Sequence, residues 1–133
     1  MTALPMAWRV ERARDSETGA RHCAVIAFGR NVVAVMSKDA DAGPAAWTVV
    51  VGSNNDDDSI RYLRVDDAIF QTTAPAFVGV EASAIVQRLK RSSEFAFEWA
   101  SAPDGAKRPG LFGTGDFAAR AADCEIWMDG TAV

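Results

Sequence analysis

Histidine and tyrosine each occur once in this chain of 133 residues, lysine three times and cysteine twice. With His22 alone and no C-x-x-C pair, a transition-metal site is poorly supplied. Any Ser-His-Asp or Cys-His arrangement would have to use that one histidine. No apolar run approaches the ~18 residues of a membrane-spanning helix. Internal repeats and low-complexity tracts are missing too. Hydrophobic residues make up 49% and charged residues 24%, which excludes disordered and collagen-like classes. The length suits one domain, residues 1–133, with a core of its own. Met1 to Ala7 carry neither the basic n-region nor the apolar h-region of a secretory leader. Two expectations follow: a cytosolic protein, or a mature chain whose leader has been replaced by a starting Met.

Acidic residues outnumber basic ones by eighteen to fourteen, a net charge of -4. A phosphate backbone is bound by basic surfaces, so nucleic-acid binding is disfavoured. The charge is uneven along the chain. Trp8 to Arg30 holds five arginines against Glu11, Asp15 and Glu17, whereas Asp39 to Asp67 holds seven aspartates against Arg61 and Arg64. Differently charged loop ends on one domain are the plain reading; an acidic surface for a cationic partner is the sharper one.

The two cysteines, Cys23 and Cys124, lie too far apart for a zinc knuckle. Two readings stay open: a disulfide tying an early strand to the last element, or two unrelated buried thiols. Closing a loop of ~100 residues would contribute about 4–5 kcal/mol on chain entropy alone. Such a bond would imply an oxidising compartment.

Hydrophobic periodicity predicts a mostly β chain. Trp8 and Val10 alternate with Arg9 and Glu11 as a short strand, and Arg12 to Arg21 reads as a loop. His22 to Phe28 and Val32 to Met36 form a hairpin across Gly29-Arg30-Asn31, with Cys23, Val25 and Ala27 on one face. Trp47 to Val51 reads as a strand buried on both faces. In Ile60 to Val65, Arg61, Leu63 and Val65 oppose Ile60, Tyr62 and Arg64, and a tight turn at Asp66-Asp67 leads into Ala68 to Thr72. Short strands at roughly 8–12-residue spacing argue for a sandwich or a curved antiparallel sheet.

After Pro75 the period changes. Ala82, Ile85, Val86 and Leu89 make a helical stripe, with Glu81 at its start and Arg88, Lys90 and Arg91 near its end. Glu94 to Ala100 alternates, with Phe95, Phe97 and Trp99 on one side and Glu94 and Glu98 on the other. Ser101 to Pro109 reads as a loop, Leu111-Phe112 as a short strand, and Asp116 onward as a second helix with Thr114 as its N-cap. The fold class expected is an antiparallel β-sandwich of seven to eight strands with one or two short helices.

The chemistry is sparse. Cys23 beside His22 suggests a nucleophile, but adjacent strand residues point to opposite faces. Asn54-Asn55-Asp56-Asp57-Asp58 offers oxygen ligands, yet a calcium-loop register begun at Asn54 puts Ser59 where Gly is needed and Val65 where Glu is needed. Gly110, Gly113 and Gly115, with Lys107 and Arg108 upstream, miss the dinucleotide spacing and read as turn and cap residues. Glu94 and Glu98 would stand about 13 Å apart by strand rise, too far for a glycosidase pair. No catalytic, metal or cofactor residue is assigned and no enzyme is expected.

The order of features resembles the invasion-associated locus B family of small secreted or periplasmic bacterial proteins. The likeness rests on Trp8-Arg9-Val10, His22-Cys23-Ala24-Val25, Ile60 to Asp66, Ala82 to Lys90, Phe95-Ala96-Phe97, and Gly115-Asp116-Phe117-Ala118-Ala119-Arg120-Ala121. The chain departs from that pattern in two ways. Glu11, Arg12 and the stretch Thr72 to Val80 stand where many relatives have further cysteines, and Asp116 interrupts the usual G-F pair. The resemblance implies a β-sandwich outside the cytoplasm, a bond between Cys23 and Cys124, and a non-enzymatic role in binding a protein partner at the envelope or host surface. Trp47, Tyr62 and Phe70 are candidates for a contact patch, although core packing competes for each. The alternative is a cytosolic acidic adaptor similar to type III secretion chaperones.

Overall fold

A computed structural model describes residues 4–5, 8–27, 32–38, 45–51, 60–101 and 105–129. Two sheets and two helices are built from them. The strands are β1 (Leu4–Pro5), β2 (Arg9–Arg14), β3 (Arg21–Ala27), β4 (Val32–Lys38), β5 (Ala46–Val51), β6 (Arg61–Val65), β7 (Ala68–Thr72), β8 (Glu94–Ser101) and β9 (Gly105–Gly113). The helices are α1 (Gly79–Arg91), between β7 and β8, and α2 (Phe117–Met128), after β9. Strands β2-β3-β4-β5 form a four-stranded antiparallel meander, and the second sheet has the order β1-β9-β8-β6-β7. Among the described residues, only the two-residue β1, on β9, pairs parallel. The mainly β, sandwich-like class expected from the sequence is what the chain adopts, with eight strands of five residues or more.

Alternation along each strand decides what is buried. Cys23, Val25 and Ala27 on β3, Ala34 and Met36 on β4, and Trp47, Val49 and Val51 on β5 form the inner face of the four-stranded sheet. Leu63 and Val65 on β6, Phe95 and Phe97 on β8, and Phe112 on β9 do so for the other. Both helices add to the same buried cluster: Ala82, Ile85, Val86 and Leu89 from α1, and Phe117, Ala121, Cys124 and Met128 from α2. Helix α1 packs on β5 and reaches β6, while α2 lies over β2, β3 and β4 and touches α1. Trp8 links the layers. Its indole N–H donates to the Thr114 carbonyl at 2.8 Å, and its ring meets Phe117 edge-on at 4.9 Å and Phe95 at 5.6 Å.

Several sequence expectations need correction. Strand β2 runs on through Arg14, so the loop between β2 and β3 shrinks to a tight turn. In it the Asp15 carboxylate accepts the N–H groups of Glu17 and Thr18, and Gly19 takes φ 76°. Strand β5 is buried on one face only, because Thr48 and Val50 are part-exposed. The stretch read as a loop from Ser101 to Pro109 is largely strand β9. Its ladder with β8 slips between Phe97–Gly110 and Trp99–Lys107, so Arg108 and Pro109 stand opposite Glu98 alone. A residue without an N–H is tolerated in a strand at such a bulge. Gly110 and Gly113 accordingly belong to the strand, and only Gly115, at φ 55°, shapes the turn into α2. Thr114 does not cap α2, since its hydroxyl donates to the Ser92 carbonyl at 2.7 Å. The expected turn at Gly29 to Asn31 falls outside the described residues, as does the Trp99 side chain.

Candidate functional site on the five-stranded sheet

The outward positions of β6 are Tyr62 and Arg64, since Leu63 and Val65 face the core. The ladders place Arg64 opposite Ile69 on β7 and Ala96 on β8, and Ala96 opposite Leu111 on β9. Tyr62 lies opposite Gln71 and Glu98. These positions line a shallow concavity of about 390 Å³, made of Tyr62, Arg64, Ile69, Ala96, Glu98 and Leu111 over the backbone of Leu63 and Phe97. Ile69 is 68% exposed, far more than an aliphatic residue on a strand needs to be. Among the described residues the floor is apolar, with the Arg64 guanidinium, the Glu98 carboxylate and the Tyr62 phenol around it. Such a face can bury apolar area against a partner and orient it by charge.

Beneath this face Arg61 is fully buried. Its Nε donates to the Val51 carbonyl at 3.0 Å and its Nη1 to the Ala74 carbonyl at 3.2 Å. The guanidinium therefore joins the end of β5, in the other sheet, to the segment after β7. The β6–β7 turn is fixed as well. Asp66 takes φ 53°, its N–H donates to the Glu94 carbonyl at 2.9 Å, and its carboxylate accepts from the N–H groups of Ser93 and Glu94. The concave face thus sits on a frame held from both ends.

His22 and Cys23 diverge. Cys23 is fully buried and bonded to Cys124 in α2, with a Cα–Cα distance of 5.5 Å across 101 positions. His22 is exposed on the outer face of the four-stranded sheet, beside a hollow lined by Glu11, Arg12, Ala13 and Ala24. Asp15 is held below the usual carboxylate range by the two backbone N–H groups it accepts. Among the described residues, no cluster of three or more His, Cys, Asp or Glu side chains could hold a metal ion. Among the described residues, no helix is long and apolar enough to cross a membrane. Asn54 to Asp58 lie outside the described residues.

No protein-family model matches the chain, and no curated protein or solved structure is significantly similar to it.

Of the three candidates for a contact patch, Tyr62 lines the concavity, Phe70 packs against the core, and Trp47 is buried within it. Sequence reasoning missed Ile69, Ala96 and Leu111. Ile69 was discoverable from the alternation of Ala68 to Thr72, with the Asp66 turn setting its register to β6. Leu111 was read within a short strand, but its place opposite Ala96 was hidden because the first part of β9 reads as a loop.

Proposed function

We propose that this protein is a non-enzymatic binding protein of the bacterial envelope or exterior, related to the invasion-associated locus B family. It acts by holding a protein partner against the outer face of its five-stranded sheet. The observation that carries this reading is the apolar concavity around the strongly exposed Ile69, built on rigid strands rather than on loops. The buried bond between Cys23 and Cys124 supports a site of action in an oxidising compartment. Arg64 and Glu98 at the concavity fix the orientation of the partner and its rate of encounter.

The test combines location with surface. The protein is recovered from its own cell by fractionation, and partner capture by the wild type is compared with capture by Ile69→Lys. The reading expects recovery outside the cytoplasm with no free thiols, and at least tenfold weaker capture by the variant. Recovery from the cytosol as a dithiol bound to an unfolded effector segment would favour the adaptor alternative. Turnover of generic esterase or phosphatase substrates that is lost in His22→Ala would overturn the non-enzymatic reading.

A further inference from the structure

The four-stranded sheet carries a second charged feature, remote in kind from the apolar concavity and independent of it. Arg14 on β2 lies directly opposite Arg21 on β3, which lies directly opposite Lys38 on β4. Three cations thus form one row across three adjacent strands. Arg12, two residues before Arg14, shares their face because its partner Cys23 is two residues after Arg21. Like charges placed directly opposite one another destabilise a sheet. The interior offsets only part of this. Arg21 donates to the Trp127 carbonyl at 2.8 Å, at the end of α2, and both Arg21 and Arg12 lie over the Trp127 ring, at 5.4 and 5.9 Å.

Among the described residues, no carboxylate forms an ion pair with any of the four, in a chain whose acidic residues outnumber its basic ones. The nearby acids are engaged or peripheral. Asp15 is taken up by its own turn, and Glu125 by Lys90. Asp129 shares only a small hollow with Lys38.

The row ends at a sheet edge. Strand β2 has β3 on one side and no strand on the other among the described residues, so a row of backbone N–H and C=O groups runs beside Arg12 and Arg14. A polypeptide can use both features at once, pairing its backbone with β2 and placing carboxylates two residues apart opposite Arg12 and Arg14. A polysaccharide or a nucleic acid could answer the charge but not the ladder. Two guanidiniums already lie over the Trp127 ring, where they would compete with a stacked base. Arginine supplies three of the four cations, and its planar fork suits a carboxylate. We infer that β2 is a docking edge for an extended acidic segment of a protein partner, which adds as a fifth strand with acidic residues at alternate positions.

The experiment uses the full disulfide-bonded chain and a fluorescent eight-residue peptide of alternating Glu and Thr, read by anisotropy. Binding should be seen at low ionic strength and weaken towards ~0.15 M salt. Arg14→Glu and Lys38→Glu, each checked for an unchanged circular dichroism spectrum, should weaken it at least tenfold for Arg14→Glu and severalfold for Lys38→Glu. Arg14→Glu should gain affinity for the matching Lys-Thr peptide. Arg88→Glu, on α1, should leave binding unchanged. A Glu-Thr peptide of the same sequence, N-methylated at every backbone amide, keeps the charge but lacks the N–H groups of a strand and should bind at least tenfold more weakly. Equal binding of the N-methylated peptide would overturn strand addition. Tighter binding of a sulfated polysaccharide or single-stranded DNA, or no peptide binding at all, would overturn the acidic-segment assignment. None of these results depends on Ile69, so failure here leaves the concave-face reading to its own test.

Discussion

Arg61 shows how one side chain can join two sheets. Its guanidinium answers the Val51 and Ala74 carbonyls inside the protein, where an unanswered acceptor is costly. Arg61→Met keeps much of the bulk but removes both donors, and should lower stability by about 2–4 kcal/mol in urea unfolding. No measurable loss would mean that water replaces the guanidinium. Alternation in Ile60 to Val65 groups Arg61 with Leu63 and Val65 on one face, and the structure buries that face. The carbonyls it serves could not be read from sequence, because Ala74 lies in a segment with no periodic signal and the strand ending at Val51 does not declare what lies across from it. Asp15 gives a smaller effect with a definite sign. Its folded pKa is depressed, so its contribution is present above the usual carboxylate range and is lost as pH falls through the folded value. Asp15→Asn should flatten the acid limb of the stability profile, and carboxyl NMR should show Asp15 titrating below the ordinary aspartate value.

Among the elements, α1 was the most legible. The stripe Ala82, Ile85, Val86 and Leu89 is the set its helix buries, and the basic residues in its last turn face the negative end of the dipole. Ile85→Ala should therefore cost about 2–5 kcal/mol, while Val80→Ala, at an 89% exposed position, should stay within ~0.5 kcal/mol. Similar losses at both sites would show that the helix is not docked as described. Strand β9 was the least legible. Proline and glycine usually punctuate loops, and only the bulge opposite Glu98 lets Pro109 remain within a strand. That misreading also hid the pairing of Leu111 with Ala96 and with it one wall of the concavity. The second helix is tied to β3 by Cys23–Cys124. Replacing both cysteines by serine should cost about 4 kcal/mol, given the length of the loop that the bond closes. A double variant as stable as the wild type would remove the bond from the account of stability.

At the scale of the whole molecule, both sheets and both helices feed one buried cluster. Unfolding followed by tryptophan fluorescence and by far-ultraviolet circular dichroism should therefore give coincident transitions. Transitions that separate would mean that α2 or the first meander melts alone. Hydrophobic alternation was enough to reach the sandwich class, because each strand need only declare which face it buries. The binding faces were less accessible, since they depend on cross-strand register: Ile69 beside Arg64 and Ala96 in one sheet, Arg14 beside Arg21 and Lys38 in the other. The central claim is that the concave face around Ile69 meets a protein partner outside the cytoplasm. The most direct measurement places a photo-crosslinking residue at position 69, and at the exposed position 122 on α2 as a control, in the cell that makes the protein. The account predicts one discrete adduct from position 69 in the envelope or secreted fraction, lost when Arg64→Glu is added, and none from position 122. No adduct from position 69, or equal adducts from both positions, would contradict it.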